Sequence, residues 1–174
     1  MTSDTFTLLA KYNRGVNEKM EPLLRGLNDD EWNRDLGGFF PSIRSLCSHL
    51  YICDFVWLKR FGGMRAFRTL GADLFKENHG FQDSLFPDRA GYFEKRPELD
   101  EKIIGFIGEI TGEDLPKIVK YTDSEKALHE RPLEGALLHV FSHQIHHRGM
   151  ISLYLELLGK QNDFSALMPV IYGN

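Results

Sequence analysis

Apolar residues recur at three- and four-residue steps along four separate stretches of the chain, the spacing of helices that bury one face. The first stretch runs from about Asp4 to Leu27, with Leu8, Leu9, Tyr12, Val16, Met20, Leu23 and Leu24 as a core-facing stripe. Asp4 is the expected N-cap and Gly26 weakens the far end. The second runs from about Ser42 to Phe61, entered through Pro41 and closed by Gly62–Gly63. Ile43, Leu46, Leu50, Phe55, Val56 and Leu58 supply its apolar surface. The third runs from about Pro97 to Thr111, with Pro97 in its first turn and Glu98, Asp100 and Glu101 facing the positive end of the helix dipole. The fourth, from about Pro132 to Leu158, would be roughly 40 Å long at about 1.5 Å per residue. Its lining is Leu137, Leu138, Phe141, Ile145, Met150, Leu153, Tyr154 and Leu157, and Gly159 ends it.

The connections carry a different pattern. Leu27–Asn28–Asp29–Asp30 reads as a turn, and Ile118–Val119–Lys120–Tyr121 as extended chain. From Gly62 to Arg96 the periodicity is lost, yet Phe67, Leu70, Leu74, Phe75, Phe81, Leu85, Phe86, Tyr92 and Phe93 make this too apolar for a disordered linker. It is expected to form short helical turns packed across one end, where long loops often shape a site. The tail, Asn162–Asn174, is expected to pack on the body through Phe164, Leu167, Met168, Val170, Ile171 and Tyr172. Four amphipathic helices in one domain, residues 1–174, give an all-α four-helix bundle with a long, partly helical insert between its second and third helices.

Composition narrows the function classes. A chain of 174 residues, 42% hydrophobic and 26% charged, suits one soluble domain with a sizeable core. A net charge of −4 argues against a nucleic-acid partner. No apolar run is long enough to span a bilayer, and Met1–Thr2–Ser3–Asp4 lacks the start of a signal peptide, so a cytoplasmic location is expected. Cys47 and Cys53 lie six residues apart on largely different helix faces, which predicts two reduced, buried thiols rather than a disulfide.

Chemistry concentrates in the fourth helix. His139, His143 and His147 fall at i, i+4 and i+8 and share a face; His146 is rotated about 100° from His147. Two imidazoles one turn apart can grip one divalent ion, and the i, i+8 pair is too far apart to join them. His143 and His147 are therefore the candidate ligands, with His139 beside them or along the approach. His49, among apolar neighbours in the second helix, supplies a third imidazole. Three such ligands with an open position make a hydrolytic type of metal site. Gln144 stands where the zincin motif would place a glutamate base, so any base must come from elsewhere. Tyr51 and Asp54 are candidate partners of His49. Tyr12 and Asn13 are candidates for the cavity wall, and Arg148 for a structural contact or an anionic substrate group. Trp32 and Trp57 read as packing residues.

The segment Leu138–Gly149 resembles the hallmark of the DinB/YfiT family: a histidine, three residues, then a histidine followed by Arg-Gly, commonly with a second histidine just before it. Tyr12–Asn13 is similar to that family's helix-one Tyr-Asn, and Ser48–His49–Leu50 with Phe55–Val56–Trp57–Leu58 to its second-helix histidine segment. (An unrelated DNA polymerase shares the family name; no polymerase function is implied.) The resemblance implies a bundle of up-down-down-up connectivity, often dimeric. It also implies nickel or zinc held by three histidines, here His49, His143 and His147. Met150 departs from the glutamine many members carry. The family includes transferases and isomerases that use a low-molecular-weight thiol, bacillithiol or mycothiol. A thiol-dependent transferase or a hydrolase is thus one expectation. A non-catalytic, stress-related protein binding a metal or small molecule is the alternative, and a purely structural bundle the third.

Overall fold

The computed structural model describes residues 2–71, 74, 76–81, 83–123 and 125–173. Phe75, counted above with the apolar groups of the insert, lies outside the described residues, as do Met1 and Asn174. The elements are helices α1 (Ser3–Arg25), α2 (Asp29–Asn33), α3 (Ile43–Gly62) and α4 (Arg89–Glu109). Strands β1 (Ile118–Thr122) and β2 (Leu128–Pro132) follow, then helices α5 (Leu133–Leu157) and α6 (Leu167–Tyr172).

Four long helices form the bundle. α1 packs on α4 and α5, and α3 packs on the same two, so α1 and α3 are diagonal partners. Short loops join neighbouring helices. Here α1 must reach α3, and α4 must reach α5, across the bundle. The chain spans the first diagonal with α2 and the loop before Ser42, and the second with an antiparallel β1–β2 hairpin. The fold is therefore mostly helical with one small sheet. Val119 is fully buried and sits in register with Arg131, while Tyr121 faces His129.

Several boundaries differ from the sequence expectation, each for a local reason. Thr2, not Asp4, caps α1, which leaves Asp4 in the first turn. The segment read as a turn after Leu27 begins α2: Asn28 and Glu31 close a reciprocal capping box, and Trp32 is fully buried behind it. α4 starts at Arg89, well before Pro97, with the Asp88 side chain accepting from the Gly91 N–H. A proline inside a helix costs about 3 kcal/mol. Tyr92, Phe93 and Arg96, all buried, hold the extra turns against that cost. Ile145, Leu153 and Leu157 of α5, expected in the core, are exposed, whereas Phe6 and Ala10 of α1 are buried.

The insert is tied down by polar contacts as well as by Phe67, Leu70, Leu74 and Phe86, all buried. Its Leu85 carbonyl accepts from the Ser48 hydroxyl at 2.8 Å, and its Phe86 carbonyl from the Trp32 indole at 3.3 Å. Glu109, at the end of α4, accepts from the backbone N–H groups of Arg68 and Thr69 at 2.9 and 2.8 Å. No helix of the described residues is long and apolar enough to cross a membrane.

Candidate metal centre

Adjacent helices α3 and α5 bring their histidines face to face. His49 projects from α3, with Cys53 one turn further on, and His143 and His147 project from α5. His49 Nε2 lies 3.1 Å from His143 Nε2, and His147 Nε2 lies 3.0 Å from the same atom. The His49 and His147 rings meet edge to face at 4.7 Å. Cys53 Sγ is 3.5 Å from His49 Nε2. His49, Cys53 and His143 each offer one ligand atom within 4.8 Å of the others, a group that can hold a metal ion.

Both close N···N contacts fall on one nitrogen, His143 Nε2. A neutral ring nitrogen is either a donor or a single-lone-pair acceptor, so it cannot make two good hydrogen bonds here. Protonation offers no escape. Burial, reinforced by the neighbouring imidazoles, holds His49, His143 and His147 at about 4. Neutral imidazole nitrogens converging at this spacing are suited to a borderline divalent ion, whose bonds to nitrogen are about 2.0–2.1 Å. Cys53 is a different donor. Burial, then the charge of Asp54, pushes its thiol up to about 12, so it ligates only if a metal displaces its proton.

The DinB family model matches residues 1–164. The chain belongs to the DinB family. Protein DinB of Bacillus subtilis (strain 168) is 26% identical to it over 172 residues, which covers 98% of this chain and 93% of that protein.

In this DinB-family chain a loop that the sequence did not single out walls the centre. Phe40 packs on His49 with ring centroids 4.2 Å apart and presents its edge to His147 at 5.2 Å. The loop is held by the Tyr154 hydroxyl, which donates to the Phe40 carbonyl at 2.7 Å, and by Leu36 N–H to the Pro41 carbonyl at 2.7 Å. Gly38 is required, because a Cβ there would collide with the Tyr154 hydroxyl. Outside the histidines a cleft of about 390 Å³ opens, lined by Phe39, Trp57, Arg60, Tyr121, Asp123 and His139 among others. His139 is exposed at the mouth, its ring 5.9 Å from His143 and 5.4 Å from Trp57.

The remaining sequence candidates lie elsewhere. Tyr51 packs edge-on to Phe86 and His79 rather than partnering His49. The Tyr12 hydroxyl donates to the Phe164 carbonyl at 3.2 Å. Asp54, Asn13 and Arg148 belong to a buried polar network that also takes in Arg96, Asp100 and Gln144, behind the histidines. Arg96 donates to Asp54 Oδ2 at 2.9 Å and to Asp100 Oδ1 at 2.7 Å. Gln144 Nε2 donates to Asp54 Oδ1 at 2.6 Å and to the Leu50 carbonyl at 3.2 Å, joining α5 to α3. Arg148 Nη1 donates to Asn13 Oδ1 at 2.6 Å and to its carbonyl at 3.1 Å, the structural of its two expected roles. Burial pushes Asp54 up to about 6, against the pull of Arg96, and draws Arg148 down to about 10. Each sequence neighbour of a site residue (Asp54 after Cys53, Gln144 after His143, Arg148 after His147) thus locks the helix that presents it. The signal for Cys53 was present in its i+4 spacing from His49; that for Phe40 and Arg96 was not, since both act across elements.

Proposed function

We propose that this DinB-family protein binds one divalent metal, nickel or zinc, through His49, His143 and His147, and uses it to transform a small molecule in the adjoining cleft. The observation that carries this is the approach of His49 Nε2 and His147 Nε2 to His143 Nε2, at 3.1 and 3.0 Å, on rings that burial holds uncharged. Bound there, such an ion would lower the pKa of a water or a low-molecular-weight thiol at an open position, giving a nucleophile at neutral pH for transfer or hydrolysis. The chain's own groups supply the rest. The histidines need lose no proton before they ligate. Phe40 keeps water off one side of the cluster. His139 stands exposed at the mouth, on the approach from solvent to the cleft. Cys53 is the candidate for a fourth ligand.

The same proposal places the protein in the cytoplasm as a homodimer of single-domain chains with no nucleic-acid partner. The exposed Leu153, Leu157, Met168 and Tyr172 support an apolar contact surface. The second reading is a non-catalytic metal or small-molecule binder. What favours it is that no carboxylate hydrogen-bonds to His49, His143 or His147 among the described residues. Elemental analysis of tag-free protein beside a His49/His143/His147→Ala variant tests the metal. The expected result is about one metal per chain, lost in the variant. No metal after reconstitution with nickel and zinc, or equal metal in both proteins, would overturn the proposal.

A further inference from the structure

We infer that Arg60 anchors the carboxylate of a planar aromatic acid lying in the cleft between the histidine cluster and the β-hairpin. α3 presents His49, Cys53, Trp57 and Arg60 at i, i+4, i+8 and i+11, along one face and over roughly 16 Å of axis. All four line the same 390 Å³ cleft, a volume suited to a small molecule. The end of this row is a cation. The Arg60 guanidinium lies 4.6 Å from the Trp57 ring centroid, 4.3 Å from that of Tyr121 and 5.6 Å from that of Phe81.

Aromatic stacking fixes the plane of a guanidinium and leaves its N–H edges free for a bidentate carboxylate. Of the five N–H donors an arginine carries, the one with a partner among the described residues donates to the Thr122 carbonyl at 2.9 Å. Asp123 is nearby, but its oxygens are taken by His129 at 2.7 Å and by the backbone N–H groups of Glu125 and Ala127 at 2.9 and 3.0 Å. Arg14, Arg25, Arg34, Arg65, Arg89 and Arg96 each have a carboxylate partner. Arg60, like the buried Arg148, has none among the described residues; Arg60 is the one of the two that lines the cleft, and it is half-buried, so burial draws its pKa down. A desolvated cation lacking an anion is what an anionic ligand relieves.

Arg60 also stands on the wall shared with a second cavity of about 770 Å³, where Lys59 and Lys120 add positive charge. Those two ammonium groups are occupied: Lys59 by the Glu77 carbonyl and the Asn78 amide oxygen at 2.6 Å each, and Lys120 by Glu130 at 2.7 Å. The aromatic walls favour a flat ring through offset and edge contacts. If Arg60 only clipped α3 to the hairpin, one N–H would suffice, and a glutamine could supply it.

Binding of the acid at Arg60 does not require the metal and does not rest on the function proposed above. Isothermal titration calorimetry with 2-naphthoate and its uncharged amide, 2-naphthamide, tests the inference. The full-length protein is expected to bind the acid at least tenfold more tightly than the amide. Arg60→Gln should erase that preference, Arg60→Lys should keep part of it, and wild-type protein stripped of metal with a chelator should retain it in full. A wild-type protein that binds both compounds alike, or neither, would overturn the inference without recourse to any variant. Preference persisting in Arg60→Gln would also overturn it. Preference lost on stripping the metal but kept in Arg60→Gln would place the carboxylate at the metal, which sinks the arginine site while leaving the metal proposal standing.

Discussion

Arg96→Leu removes the shared partner of two buried carboxylates. Arg96 is 4% exposed, and its two nitrogens reach Asp54 at 2.9 Å and Asp100 at 2.7 Å. Leucine fills much of the space but leaves both carboxylates facing each other. Asp100 keeps its bonds from Asn13 and Asn17, and Asp54 keeps only the one from Gln144. Removing one partner from a buried ion pair costs about 3–5 kcal/mol. For a chain of this size each kcal/mol shifts Tm by about 2–4 °C, so the expected drop is roughly 6–20 °C. The deficit should depend on pH with a definite sign. Burial, opposed by Arg96, already holds Asp54 at about 6, above its unfolded value near 3.8. Without the arginine it rises further. A carboxyl raised in the folded state binds protons more tightly there, so lowering the pH stabilises the fold through that group. The penalty of Arg96→Leu is therefore largest at pH 8 and shrinks as the pH falls toward 5. The depressed histidines push stability the other way on acidification, but they do so in both proteins and cancel from the difference. Urea unfolding at pH 5 and pH 8, followed by the fluorescence of buried Trp32 and Trp57, measures the deficit. A deficit below about 1 kcal/mol, or one that does not change with pH, would refute the account of the network.

Two further predictions concern the centre itself. Because His49, His143 and His147 are held at about 4, they give up no proton when zinc binds at pH 7.5, whereas ligation by Cys53, held at about 12, would release one in addition to any from zinc-bound water. Counting protons per zinc with a pH indicator in the wild type and in Cys53→Ala decides between the two ligand sets: one proton fewer in the variant assigns Cys53 as a ligand, and equal counts assign the histidines alone. Gly38→Val should displace the loop that carries Phe40, since any Cβ there meets the Tyr154 hydroxyl. The expected readout is faster loss of bound zinc to a chelator with Tm lowered by only a few degrees, and unchanged zinc release would show that Phe40 does not guard the cluster.

What could be read from the sequence alone is what depends on local geometry. The spacing of His139, His143 and His147 puts them on one face because helical pitch is a property of the backbone, whatever surrounds it. The amphipathic stripes placed all four long helices for the same reason, and Ser42 with Pro41 and Gly63 marked the ends of α3. Local rules failed where a distant contact outweighed them. Pro97 looked like a helix start because proline suits a first turn, yet burial of Tyr92, Phe93 and Arg96 carried α4 back to Arg89. Asp54 and Tyr51 looked like partners of His49 because they are near it in sequence, but the helix turns them toward other neighbours. Tertiary structure alone decided which helices are adjacent, and so that His49 meets His143. It also decided that Phe40 covers them and that Arg60 lies against both Trp57 and Tyr121. Those placements come from packing between segments far apart in the chain, which depends on the joint shape of all the helices and leaves no periodic trace in any one of them.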